Sequence, residues 1–104
     1  MASSKEYLDF IMDQLSPLDG VDAKKMMGEY VVYYRGKIIG GIYDNRFLVK
    51  PTPSAKAMMP DAGYEIPYDG AKEMLAPDRV DDGEFLRLLL NAMYDELPFP
   101  KKKS

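Results

Sequence analysis

The chain contains no cysteine and no histidine among its 104 residues. Without cysteine it has no disulfides, no thiol nucleophile and no thiolate metal ligand. Without histidine it lacks the commonest general base and the commonest metal ligand of proteins. Zinc sites built on these residues, Ser-His-Asp triads and Cys-His dyads are therefore excluded. The sequence predicts no catalytic, cofactor-binding or metal-binding residues, and we do not expect an enzyme.

Long hydrophobic runs are also missing from the sequence. The longest are a few residues, whereas a membrane-spanning helix needs roughly 20. Lys5, Glu6 and Asp9 interrupt the apolar residues near the N-terminus, which is unlike a signal peptide. We therefore expect a cytoplasmic protein with no membrane contact.

Excess positive charge is a third absence. The net charge is −3, and residues 1–100 hold 11 basic against 17 acidic residues. Nucleic-acid binding requires a basic surface that neutralises phosphates, so nucleic acid is not expected as a partner of this domain alone. The length suits one domain, which we place at residues 1–100, followed by a disordered basic tail at 101–104.

Three helices are predicted from caps and apolar spacing. Ser3 or Ser4 caps the first, which Pro17 and the Asp19-Gly20 pair close. Thr52 caps a short second helix that begins at Pro53 and runs through Met59. The third begins at Asp81, which forms a capping-box pair with Glu84, and it runs to about Leu97.

Five strands are predicted between these helices. Three of them form a meander over residues 25–34, 37–43 and 46–50, with tight turns at Arg35-Gly36 and Asp44-Asn45. Two more, at 64–68 and 71–75, flank the Asp69-Gly70 turn, and Pro67 favours an edge position for the first of them. The predicted fold is α+β, with one antiparallel sheet and the order α-βββ-α-ββ-α.

Both faces of the predicted meander are apolar. Val32 and Tyr34 point to one side of their strand while Val31 and Tyr33 point to the other. Either helices cover both faces, or one face lies against another subunit. The last helix is also apolar over most of its circumference, which favours a second buried side. We therefore expect a homodimer, another protein partner, or both, with the interface at Leu88, Leu90 and Tyr33.

Several residues have both a functional and a structural interpretation. Tyrosines 30, 33 and 34 are compatible with a base-stacking platform, but tyrosines in strands more often fill a core. The pairs Met26-Met27 and Met58-Met59 are compatible with an adaptable groove or with core packing. A small ligand in a Met- and Tyr-lined pocket is thus the alternative function. Lys50 is either a functional amine at a strand end or a solvated edge charge.

The stretch from 26 to 50 resembles the N-terminal domain of the TfoX (Sxy) competence regulators. The family pattern is roughly M-F-G-x-Y-G-L-Y-x-x-G-K-x-F-G-x-x-x-D-x-R-x-x-L-K. The matching residues, which are mainly structural in character, are Met26, Gly28, Tyr30, Tyr33, Gly36, Lys37, Gly40, Asp44, Arg46 and Lys50.

The resemblance implies a fold and a broad role. It implies the TfoX N-terminal fold, which is similar to that of small α+β secretion chaperones, and a regulatory or protein-interaction module without a cofactor. Met27, Val31 and Ile39 depart from the pattern, where Phe, Gly and Phe are usual. The full regulators carry a further C-terminal helical domain, so this chain resembles a stand-alone version. Direct contact with DNA as a transcriptional regulator remains a further alternative.

Overall fold

Tight turns fold the chain into one antiparallel sheet with three helices. The computed structural model describes residues 3–99, so the predicted basic tail at 101–104 lies outside the described residues. The elements are α1 Lys5–Leu15, β1 Val21–Met26, β2 Glu29–Tyr34, β3 Lys37–Ile42, β4 Phe47–Val49, α2 Pro53–Met58, β5 Gly63–Glu65, β6 Met74–Ala76 and α3 Gly83–Tyr94. The strand order is β1-β2-β3-β4-β6-β5, with every pair antiparallel. The α+β class is confirmed.

The meander has one more strand than the sequence predicted. The expected strand over residues 25–34 is interrupted by a turn at Met27 and Gly28, whose φ angles are 52° and 85°. β1 precedes this turn and pairs with β2 along its whole length. The pattern missed the turn because an apolar residue seldom adopts positive φ. The observed order is therefore α-ββββ-α-ββ-α.

The other two turns of the meander were predicted correctly. Arg35 and Gly36 have φ angles of 50° and 85°, and Asp44 and Asn45 have 52° and 55°. Positive φ at both central residues gives a hairpin a twist that matches its strands. These turns therefore set the register of β2, β3 and β4.

Side-chain caps define where the helices begin. Ser4 accepts a hydrogen bond from the Tyr7 amide at 3.1 Å, and Thr52 accepts one from Ala55 at 3.2 Å. Both caps were predicted. For α3 the prediction was wrong by one residue: Asp82, not Asp81, accepts from the Phe85 amide at 3.1 Å. The Asp81–Glu84 capping box therefore does not form, and α3 ends before residue 97.

The last two strands are shorter than predicted. β5 and β6 have three residues each, and the connection between them covers residues 66–73. Gly70 has a φ of 85° in this connection, so the turn is present without a continuous hairpin around it. β5 lies at the edge of the sheet, as Pro67 indicated.

All three helices pack on the same face of the sheet. The buried core is a single cluster, in which Ile11 and Leu15 of α1 and Leu89 of α3 join residues of the strands. Its strand members are Val32, Tyr34, Ile39, Ile42, Phe47, Val49 and Leu75. The sequence left two arrangements open, and the one in which helices cover both faces of the sheet is not observed. No helix of the described part is long and apolar enough to cross a bilayer.

Gly40 has no room for a side chain. The register of β2 and β3 shifts beside it, and Ile39 is the extra residue of this bulge. A Cβ on Gly40 would lie 2.7 Å from the Val49 Cα and 2.9 Å from the Leu48 carbonyl carbon. Because these are backbone atoms, relief would require β3 and β4 to separate.

We expect Gly40→Ala to lower the free energy of unfolding by about 3 kcal/mol or more. Gly63→Ala is the matched control, because a Cβ at that position would meet nothing within 4 Å. We expect it to change the free energy of unfolding by less than about 1 kcal/mol. Urea unfolding followed by circular dichroism measures both, and equal effects would contradict the close contact.

Candidate functional site: a sheet face without helices

The side of the sheet opposite the helices is the candidate site. Strand residues alternate between faces, so Leu48 points away from the core that contains Phe47 and Val49. The register places Tyr33 beside Ile38, and Val31 and Leu48 on either side of Gly41. We call this surface the helix-free face, and Val31, Gly41 and Leu48 at its centre are buried. Its residues are Asp22, Lys24, Met26, Glu29, Val31, Tyr33, Ile38, Gly41, Tyr43, Leu48, Lys50, Glu65 and Met74.

Two tyrosines pack together at one end of the helix-free face. The Tyr43 ring covers Gly41, where a Cβ would come within 2.6 Å of it. Tyr68, from the connection between β5 and β6, packs on Tyr43 with ring centroids 5.9 Å apart. Burial raises the pKa of the Tyr43 hydroxyl, and Tyr68, Glu29 and Tyr33 raise this pKa further. The 66–73 connection thus reaches over this end of the face, while Ile38 and Tyr33 stay partly exposed.

Lys50 is the central cation of the helix-free face. Its amide donates to the Ile39 carbonyl at 2.9 Å, so the alternation of β4 continues through it. Its side chain is half-buried, and burial lowers the pKa of its ammonium group. Among residues 3–99 the ion pairs are Lys5–Asp9 and Arg46–Glu65, so no carboxylate of the described part pairs with Lys50.

The carboxylate of Glu29 accepts three hydrogen bonds. It accepts from the Ser3 amide at 2.9 Å, the Ser3 hydroxyl at 2.6 Å and the Asp44 amide at 3.0 Å. The Asn45 amide in turn donates to the Ser3 hydroxyl at 3.0 Å. This network ties the start of α1 to the β3–β4 turn, so Asp44 and its neighbours have a structural role here.

Lys37 supports the helical side of the sheet. Its side chain is only 8% exposed. Its ammonium donates to the Tyr94 carbonyl oxygen at 2.9 Å and lies 4.0 Å from the centroid of the Tyr94 ring. A cation at this position satisfies the last carbonyl of α3 and complements the helix dipole. The Gly36-Lys37 pair therefore combines a turn residue with a helix anchor.

Tyrosines 30, 33 and 34 do not form a base-stacking platform. Tyr34 is buried on the helical side, where its hydroxyl donates to the Asn91 side chain at 2.6 Å. Tyr30 packs against the same core, and Tyr33 alone of the three lies on the helix-free face. The structural interpretation of Tyr30 and Tyr34 is confirmed. A base-stacking surface built from all three is excluded, because adjacent strand residues point to opposite sides.

The remaining motif residues are dispersed and do not form one site. Gly28 and Gly36 lie in turns, Gly40 lies in the bulge, and Arg46 pairs with Glu65. Met26 is 55% exposed at the end of β1. Together with Lys37 and Asp44, these residues maintain the turns and the strand register. Met26, Tyr33 and Lys50 are the members that face away from the helices.

The three predicted interface residues differ in how exposed they are. Leu88 is 57% exposed on α3, and Tyr33 is partly exposed. Leu90 has no exposed surface and belongs to the core. The prediction of Leu90 as an interface residue was wrong, since the helix turns its position toward the sheet. Reasoning from the sequence did not single out Ile38, Tyr43 and Tyr68 as surface residues. The apolar pattern on both faces of the strands could have indicated Ile38 and Tyr43.

Two hollows among residues 3–99 were compared with the expected Met- and Tyr-lined pocket, and neither matches it. Met58 and Met59 line a cavity of about 80 Å³ beside Arg79 and Phe85, whereas ligand pockets usually hold about 300 Å³ or more. The other is an open groove along α1, beside Glu6, Asp9 and Phe10. Residues 3–99 also contain no cluster of three or more acidic side chains placed to hold a metal ion.

We expect Lys37→Met to lower the free energy of unfolding by about 1–3 kcal/mol, because the Tyr94 carbonyl loses the shorter of its two hydrogen bonds and keeps the one from the Leu97 amide, and because the cation–π contact is removed. Lys56→Met on α2 is the control, since Lys56 is exposed and should change stability by no more than about 0.5 kcal/mol. Urea unfolding gives both values, and similar losses would show that Lys37 does not anchor α3.

We expect Leu90→Asp to prevent folding or to cost several kcal/mol, because it buries a carboxylate in the core. Leu88 lies on the exposed side of α3, so Leu88→Asp should change the free energy of unfolding by no more than about 0.5 kcal/mol. Circular dichroism and urea unfolding distinguish the two, and a Leu90→Asp variant as stable as the wild type would contradict the placement of α3.

Comparison with known proteins identifies the family. Residues 13–96 match the family described as TfoX N-terminal domain. A relative from Spirochaeta aurantia, named "Uncharacterized 12.7 kDa protein in trpE 5'region", is 35% identical over 104 residues, which cover 99% of this chain and 90% of the relative. No solved structure matches this chain. The predicted resemblance is confirmed, and the chain belongs to the TfoX N-terminal domain family.

Proposed function

We propose that this domain is a non-enzymatic module that binds another protein through its helix-free face. The observation that carries the proposal is a six-stranded sheet whose apolar residues face both sides while its helices pack on one. Partly exposed Tyr33, Ile38 and Met74 lie on the uncovered side. The exposed apolar part of this face is limited, because Val31 and Leu48 on the same side are buried, and an exposed apolar patch is a candidate interaction site.

Two features favour a protein partner over a chemical substrate. The sequence has neither histidine nor cysteine, so a nucleophile with an adjacent general base of the usual kind has no candidate residues. The 80 Å³ cavity beside Met58 is too small for a typical metabolite. A regulatory role of the kind that the TfoX relationship suggests would then operate through protein contact.

Direct DNA binding receives less support. The balance of 11 basic against 17 acidic residues over positions 1–100 opposes phosphate contact. The expected homodimer stays a prediction, which light scattering after gel filtration tests. Leu88, as the exposed leucine of α3, is the residue we expect to matter if a dimer forms through that helix.

Site-specific photo-crosslinking tests the proposed surface. With p-benzoylphenylalanine in place of Tyr33, irradiation in the source cell should give a discrete protein adduct, because this position faces the partner. The same probe in place of Leu88 is the comparison: it should give no adduct with a different protein, whereas an adduct with a second copy of this chain would report the homodimer. The readout is a mass shift on a denaturing gel, followed by identification of the attached protein.

Other outcomes would overturn the proposal. Adducts formed only from position 88 would assign the interface to α3, and adducts of nucleic acid at position 33 would favour the DNA-contacting alternative. No adduct at position 33 would remove the support for a binding role of this face. Circular dichroism of both probe-bearing proteins verifies that each remains folded.

A further inference from the structure

The first strand of the sheet is paired on one side only. In the part of the chain that the structure describes, β1 lies at the end of the sheet and pairs with β2 along all six of its residues. Most of its side chains are exposed. The strand at the opposite edge, β5, has three residues. Edge strands are often kept short or interrupted by proline or a bulge, and β1 shows none of these features.

The backbone groups on the free side of β1 belong to its odd-numbered residues. Just before β1, the Arg35 amide donates to the Gly20 carbonyl at 2.9 Å, and bonding to a neighbour alternates along an antiparallel strand. The even-numbered residues of β1 therefore bond to β2. The Ala23 amide agrees with this phase, because it donates to the Asp22 carboxylate at 2.9 Å rather than to β2. The residues whose amides and carbonyls point outward are Val21, Ala23 and Lys25.

The same strand carries opposite charges two residues apart. Asp22 and Lys24 are exposed and lie on one face of β1, since side chains alternate. Neither takes part in the ion pairs found within residues 3–99, and the Lys24 ammonium lies 5.3 Å from the centroid of the Tyr33 ring. Lysine on an edge discourages pairing with an arbitrary strand. A suitable partner strand therefore has to place an acid opposite Lys24 and a base opposite Asp22.

A second copy of β1 meets this requirement in one register. A two-fold axis makes the two strands antiparallel, and outward residues must face outward residues for the hydrogen bonds to form. With the axis at Ala23, Asp22 of each strand lies opposite Lys24 of the other, and about six backbone hydrogen bonds form across the edge. With the axis at Asp22 or at Lys24, like charges face each other, which destabilises a strand pair.

We propose that the free edge of β1 pairs with β1 of a second copy of this chain, in an antiparallel register centred on Ala23. Two Asp22–Lys24 ion pairs flank the axis, and the two six-stranded sheets become continuous. The Ala23 amide exchanges the Asp22 carboxylate for the Ala23 carbonyl of the other copy, which frees that carboxylate for Lys24. This interface goes beyond the proposed function, whose exposed apolar residues lie on inner strands, and it does not depend on it.

Sedimentation equilibrium of the full chain tests the dimer. One strand pair makes a small interface, so we expect a weak dimer with a Kd between roughly 10 μM and 300 μM. Amide hydrogen exchange measured by NMR at low and high protein concentration locates the contact. The Val21 and Lys25 amides should become protected as the concentration rises. The Asp22 and Lys24 amides should be protected at every concentration, because they bond to β2.

Charge reversal tests the register. Asp22→Lys and Lys24→Asp each bring like charges together twice in the dimer, so each should weaken self-association roughly tenfold or more at low salt. An equimolar mixture of these two variants should associate about as tightly as the wild type, because every opposing pair is again complementary. Lys25→Asp is the matched control, since it changes the net charge as Lys24→Asp does but faces Val21 across the edge. It should alter self-association by less than about threefold.

Other results would overturn the proposal. A wild-type chain that stays monomeric up to about 1 mM would leave this edge free for a strand of another protein. A dimer that tolerates both charge reversals, or whose Val21 and Lys25 amides stay unprotected, forms through a different surface. Failure of the mixture to associate would exclude the register centred on Ala23. None of these results bears on crosslinking from position 33, so the proposed function is tested separately. Circular dichroism verifies that each variant is folded.

Discussion

The structure depends on the burial of one sheet face beneath three helices. Ile11 and Leu15 from α1 meet Leu89 and its neighbours from α3 over the apolar side of the strands. Because β-strands alternate, each residue that enters this core sends its neighbour to the opposite side. The helices cover one face of a sheet that is apolar on both faces. Packing of the helices does not explain why the opposite face is also apolar.

The anchors of the fold surround this core and explain most of the family motif. Lys37 holds the end of α3, Glu29 joins the N-terminal segment to the β3–β4 turn, and Gly40 permits the close approach of β3 and β4. These residues are needed for geometry, so the motif identifies the family without describing an activity. Tyr33 and Lys50 differ, since they lie on the uncovered face, where a binding role is compatible with their positions.

Local signals predicted most of the elements, and the errors have physical causes. Ser4 and Thr52 act as caps and the Arg35-Gly36 and Asp44-Asn45 turns form, because caps and turns depend on residues adjacent in sequence. The Met27-Gly28 turn was missed because its first residue is apolar and adopts positive φ under the constraint of two pairing strands. Leu90 was misplaced because the direction of a nearly all-apolar helix cannot be obtained from its own periodicity.

The sequence by itself determined the α+β class, the family and the two-faced apolar character of the sheet. Each of these follows from local patterns of residue type. Only the tertiary structure decided that all three helices pack on the sheet face that contains Val32 and Ile42. It also decided that Tyr33, Ile38 and Lys50 lie on the opposite face. Which face the helices cover depends on the packing of elements that are distant in sequence, so short-range patterns do not determine it.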